Sequence, residues 1–185
     1  MSVEMWNLLH NPRPSGTAAW LLHNEYSDQP ASMALTTDSL TLTGVDGCNN
    51  SYASCKPPVP AGEYVIACTV SGTSRYTPNL LIRVWDTTAE SYICTINADG
   101  QYPGRVQQSF TVVADSTLEV MVQAPNVAAS LTYGHLLLTD ASNLAHMQEL
   151  GVTWWCGDGY DRNGGGRPSD ALVGYPPCEH WMVVA

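Results

Sequence analysis

The chain has 185 residues, of which 44% are hydrophobic and only 13% charged, against about 25% charged in a typical domain. Its net charge is −10, from 17 acidic and 7 basic residues, and the single Lys56 and the arginines are scattered. Such a surface repels phosphate backbones and anionic lipid, and no stretch approaches the ~18 apolar residues of a membrane helix, which excludes nucleic-acid binding and membrane insertion.

Residues 1–16 read as an extended arm, because Pro12 and Pro14 forbid a helix there. No basic start followed by an apolar run marks an export signal. Thr17 to His23, containing Trp20, reads as a strand. Ser39 to Val45 alternates Leu40 and Leu42 with Thr41 and Thr43, the period of a half-buried strand. Asp46 to Pro60 reads as a loop, since Asp46-Gly47, Asn49-Asn50 and Pro57-Pro58 are breakers.

Strands are predicted over Tyr64 to Ser71, Leu80 to Asp86, Ser91 to Ile96, Val106 to Val113, Thr117 to Gln123 and Leu131 to Thr139. Short strands separated by turn signals are the pattern of an all-β sandwich. Asp140 to Leu150 is the one helical piece, with Asp140 or Ser142 as cap and Leu144, Met147 and Leu150 at helical spacing. Residues 156–177 are rich in Gly and Pro and form a long loop, and Trp181 to Ala185 reads as a last edge strand. The domains are therefore the arm at 1–16, a sandwich at 17–155, and a Gly/Pro-rich loop with an edge strand at 156–185.

The six cysteines leave the redox compartment open. Cys156 and Cys178 flank the Gly-rich stretch and form the first expected disulfide, and Cys48 with Cys55 the second. Cys68 and Cys94 fall in strand-like segments, where a buried thiol is the plain expectation.

Chemistry is sparse. Asp46, Asp86, Asp99 and Asp115 are isolated in turns, whereas glycan hydrolysis needs facing carboxylates. No nucleophile elbow, phosphate loop or zinc-protease motif occurs. Asp158 to Gly164 resembles a calcium loop, but Gly159 stands where the first carboxylate belongs and Arg162 adds a cation. Cys156, Cys178 and His180 lack structural-zinc spacing. No catalytic residue, metal or cofactor is expected.

Strand parity offers one binding surface. If Ile82 and Val84 face the core, Arg83 and Trp85 share the other face. If Leu118, Val120 and Val122 face the core, Gln123 points outward, and His135 opposes Leu136. Arg83, Trp85, Gln123 and His135 would then line a sugar-binding sheet face. A face buried against a neighbouring subunit is the competing reading.

The entry Pro60-Ala61-Gly62-Glu63-Tyr64 and the segment Tyr133-Gly134-His135-Leu136-Leu137-Leu138-Thr139-Asp140 resemble carbohydrate-binding-module-like jelly rolls. The start Asn7-Leu8-Leu9-His10-Asn11-Pro12-Arg13-Pro14, with Trp20 downstream, and the segment Trp154-Trp155-Cys156-Gly157-Asp158 are similar to minor tail and virion structural proteins of tailed phages. Cys156 stands where that family carries an acidic residue. The resemblance implies a non-enzymatic jelly roll on a virion, in the tail or decorating the capsid. It implies other virion proteins as partners and a homo-oligomer or repeated copies. Trp6, Asn11, Arg13, Trp154 and Trp155 would then make assembly contacts, with the arm docked on a neighbour. The alternative is an adhesin module binding host-surface glycans around Trp85.

Overall fold

The computed structural model describes residues 7–9, 20–25, 28–36, 39–48, 50–72, 80–97 and 104–149. The strands are β1 (Leu21–Asn24), β2 (Ser32–Leu35), β3 (Ser39–Thr43), β4 (Ser51–Cys55), β5 (Pro58–Val59), β6 (Gly62–Gly72), β7 (Leu80–Asp86), β8 (Ser91–Asn97), β9 (Gly104–Val112), β10 (Ser116–Gln123) and β11 (Ser130–Asp140), and one helix, α1 (Ala141–Glu149), follows.

They form two antiparallel sheets. The first has the order β1-β4-β10-β7-β8, with β5 paired to β10, and the second β2-β3-β11-β6-β9. From β3 onward the chain crosses from sheet to sheet, and each sheet interleaves early strands with late ones: β4-β10-β7-β8 faces β3-β11-β6-β9. That interleaving is the jelly roll. β1 and β2 extend the two sheets outside β4 and β3.

The period-2 expectation holds where it was clearest. Leu40 and Leu42 of β3, and Leu118, Val120 and Val122 of β10, are buried in the core between the sheets. Trp20 and Leu9 are buried in the same cluster. Tyr133 crosses the core: its hydroxyl donates to the carbonyl of Gln123 at 2.7 Å and of Leu81 at 3.3 Å, tying β11 to the opposite sheet.

Asp46 to Pro60 is not a loop, for it contains β4 and β5. The breakers flank β4 rather than interrupt it, and its Ser-Tyr-Ala-Ser-Cys sequence lacks apolar alternation. Every residue of β4 is nonetheless buried, because it lies inside its sheet between β1 and β10. β2, a half-exposed edge strand, is likewise absent from the pattern reading.

The expected Cys48–Cys55 disulfide is absent: both are buried free thiols, as are Cys68 and Cys94. The extended β4 starts three residues after Cys48, at Ser51, and ends at Cys55. At about 3.3 Å per residue it alone separates them by more than the ~7 Å a disulfide spans. The Cys48 thiol instead donates to the Ser51 hydroxyl at 3.2 Å. Cys156 and Cys178 lie outside the described residues.

Part of the expected arm is docked on its own domain. Leu8 N–H donates to the Leu138 carbonyl at 2.7 Å, and Leu8 and Leu9 are buried. β3 pairs β11 only as far as Gly134, so residues 7–9 take up the edge beyond it.

Helix α1 starts where expected. The Asp140 carboxylate accepts from Asn143 N–H at 2.8 Å and from the Ser142 hydroxyl at 2.5 Å, which makes Asp140 the cap. Leu144 and Met147 pack on Val65, Ala67 and Leu137, on the face of the second sheet turned away from the core. Among the described residues no helix is long and apolar enough to cross a membrane.

Candidate functional site

The outer face of the first sheet gathers Tyr52, Trp85 and Tyr92 with His23, Arg83 and several hydrogen-bonding side chains. Cross-strand register sets three rows. One runs Leu21, Ser54, Met121, Arg83, Thr95. A second is His23, Tyr52, Gln123. A third is Glu119, Trp85, Tyr92. Parity therefore places Arg83, Trp85 and Gln123 on one face, as anticipated.

Tyr52 and Arg83 belong to strands separated by β10, so their backbones stand roughly 10 Å apart. Yet the Arg83 guanidinium carbon lies 5.8 Å from the Tyr52 ring centre. The two side chains lean toward each other over β10, above Met121 and Gln123. Gln123 is consequently only 3% exposed, a correction to its expected place at the surface.

On its other side Arg83 lies 5.1 Å from the Tyr92 ring and donates to the Tyr92 hydroxyl at 3.1 Å. Trp85 meets Tyr92 edge to face, with ring centres 4.9 Å apart and planes at 75°, a favoured aromatic geometry. Tyr92 is 49% exposed and Tyr52 only 7%. The open aromatic surface is therefore the Trp85–Tyr92 end, while the Tyr52 end is closed by the parallel stack of His23 at 4.7 Å.

Polar groups hold this arrangement from the rim. Tyr52 donates to Glu25 at 3.1 Å, and Asn50 to the other Glu25 oxygen at 3.2 Å. Arg83 donates to Asn50 Oδ1 at 3.4 Å. Asn50 reaches both from a left-handed backbone conformation, φ 51°, which asparagine tolerates better than most residues. Burial, then the hydrogen bond and charge of Glu25, push the Tyr52 hydroxyl up to about 12, so it stays protonated and donates. Ser54 donates to Glu119 at 2.9 Å, and Lys56 pairs with Glu119 at 3.4 Å. The Ser54 proton is committed to Glu119, so His23 Nε2, 3.0 Å from the same oxygen, carries its own proton and donates.

His135 does not join this surface. It lies on β11 of the other sheet, exposed, at the register shift between Gly134 and Leu137, with φ 51°. Trp6, Asn11, Arg13, Trp154 and Trp155 lie outside the described residues. His23, Tyr52, Tyr92, Glu25 and Asn50 were not anticipated. Parity would have found Tyr52 once Ser51–Cys55 was recognised as a strand; Glu25 and Asn50 sit outside strands, where no periodic signal exists. Among the described residues no group of three or more His, Cys, Asp or Glu is placed to hold a metal ion.

No protein-family model matches the sequence, and no curated protein is similar to it at a significant level. Solved structures resemble the fold. The second N-terminal cellulose-binding domain of Cellulomonas fimi β-1,4-glucanase C is 16% identical, with a TM-score of 0.49, over 76% of this chain and 98% of that one. The N-terminal cellulose-binding domain of the same enzyme is 12% identical, with a TM-score of 0.47, over 69% and 91%. A mutant family 29 carbohydrate-binding module complexed with cellulohexaose is 11% identical, with a TM-score of 0.46, over 75% and 94%. The likeness is loose, and the function proposed next rests on this chain's own side chains. Neither these structures nor the described residues bear on a virion setting or on oligomerisation.

Proposed function

We propose that the chain is a non-enzymatic glycan-binding module, whose site is the outer face of the first sheet at Trp85 and Tyr92. The supporting observation is the continuous series of side-chain contacts from His23 through Tyr52, Arg83 and Tyr92 to Trp85, carried on strands and fixed by ring contacts and hydrogen bonds. A sugar ring presents an apolar C–H face and a polar periphery. Partly exposed aromatic rings beside pre-oriented donors and acceptors complement both, and side chains on strands hold that geometry better than side chains on loops.

The test is binding of the purified protein to a glycan array, followed by titration of the best ligand against Trp85→Ala and Tyr92→Ala. Each substitution weakens binding by about ten-fold or more, the order of a lost aromatic contact, while circular dichroism stays unchanged. Absence of saturable binding to any glycan, or binding that survives both substitutions, rejects the proposal.

A further inference from the structure

Arg83 is the half-buried cation of this face, and no carboxylate among the described residues pairs with it. Lys56 is matched with Glu119, whereas Arg83 is in no ion pair among the described residues. Its guanidinium is held over Tyr52 and Tyr92. One N–H donates to the Tyr92 hydroxyl and another, at the longer distance of 3.4 Å, to Asn50. Arg83 Nε is buried without an acceptor, and so is Nε2 of Gln123 on the neighbouring strand. The nearby carboxylates are engaged elsewhere: Glu25 accepts from Tyr52 and Asn50, and Glu119 from Ser54 and Lys56.

The buried Nε and Gln123 Nε2 are out of a ligand's reach, but each terminal nitrogen of the guanidinium keeps a second N–H beyond the one given to Tyr92 or Asn50, and the cation, partly withdrawn from water, lacks a counter-charge among the described residues. A neutral sugar brings hydroxyls, which supply acceptors but no charge. A carboxylate supplies both and brings no surplus donor, and a guanidinium fork is the side chain best shaped to receive it.

Resting on the glycan-binding proposal, we infer that this site selects a carboxylate-bearing sugar, a uronic or a sialic acid, with Arg83 as the specificity-determining residue. The sugar ring lies against Trp85 and Tyr92, and its carboxylate pairs with Arg83.

Calorimetric titration of the wild-type protein with matched pairs tests this: oligogalacturonate against its full methyl ester, and sialyllactose against its methyl ester. Within each pair the ring is kept and the carboxylate is masked. In one pair the acid binds about ten-fold or more tighter than its uncharged counterpart, the range of a charge-assisted hydrogen bond, and that pair identifies the source. The preference shrinks as salt rises and is lost in Arg83→Gln, whereas Arg83→Lys keeps part of it. Acids that bind no tighter than their counterparts overturn the inference, and the wild-type comparison decides this whether or not the variants fold. If neutral glycans alone bind, the carboxylate assignment fails and the glycan-binding proposal stands. If no glycan binds, both fail.

Discussion

The Asn7 side chain serves Leu138 as a missing strand would. Its Oδ1 accepts from Leu138 N–H at 3.0 Å, and its Nδ2 donates to the Leu136 carbonyl at 2.8 Å. One amide thereby completes the ladder of β11 beyond the end of β3. Asn7→Ala removes both hydrogen bonds from buried backbone groups, at a cost of about 1–3 kcal/mol. The check is the urea midpoint, which falls with little change in slope. Asn7→Asp keeps only the acceptor and falls by a similar amount.

Asp86 gives the fold an acid limit. The residue is only 2% exposed. Burial raises its pKa, but the Ser116 hydroxyl and the N–H groups of Ala89 and Thr88 outweigh that and hold it below the ordinary carboxylate range. Because the folded value lies below the unfolded one, the stabilisation is complete above the unfolded value of about 3.9 and is lost as pH falls through the folded value. Asp86→Asn is less stable than wild type at pH 7 by about 1–3 kcal/mol. The gap narrows below about pH 4. Denaturant midpoints of the two proteins across pH 2–7 measure it.

The core thiols resist modification. Burial pushes Cys68 and Cys94 up to about 12 and raises Cys55 beyond that, and thiolate is the reactive form. Ellman's reagent on the native protein therefore leaves Cys55, Cys68 and Cys94 unlabelled, and denaturation releases all three. Mass spectrometry of the labelled peptides checks both halves.

Glu90, in the turn between β7 and β8, has a positive φ of 50° and is exposed. A left-handed conformation strains a side chain with a Cβ, and glycine relieves it at some cost in unfolded-chain entropy. Glu90→Gly raises stability by about 0.5–1 kcal/mol, read as a shift in thermal midpoint.

Local pattern carried the fold well where one face of a strand is apolar, as at Leu118, Val120 and Val122, or at Leu40 and Leu42. It failed at Ser51–Cys55, where a strand with both faces covered needs no alternation. Parity also told which way Arg83 and Trp85 point, since that depends only on neighbours in the chain. It did not tell which sheet a strand joins, so His135 was grouped with residues from the opposite side of the sandwich. Nor did it foresee the burial of Gln123, which depends on Tyr52 and Arg83 leaning in from strands remote in sequence. Long-range pairing, not local preference, builds this site.

The sheet order also sets when the protein can become itself. β10 lies between β4 and β7, and β11 between β3 and β6, so the middle of each sheet is the last part of it to be translated. Until β10 emerges from the ribosome, the nascent chain holds four two-stranded fragments, β1–β4, β7–β8, β2–β3 and β6–β9, and the last two stay apart until β11 follows. Each has open edges, and an open edge invites pairing with other chains. The closing strands must also span long stretches of chain, which slows the final step. The sandwich therefore closes only when β11 is available, and a ribosome stall before β11 leaves an aggregation-prone product and not a smaller working domain.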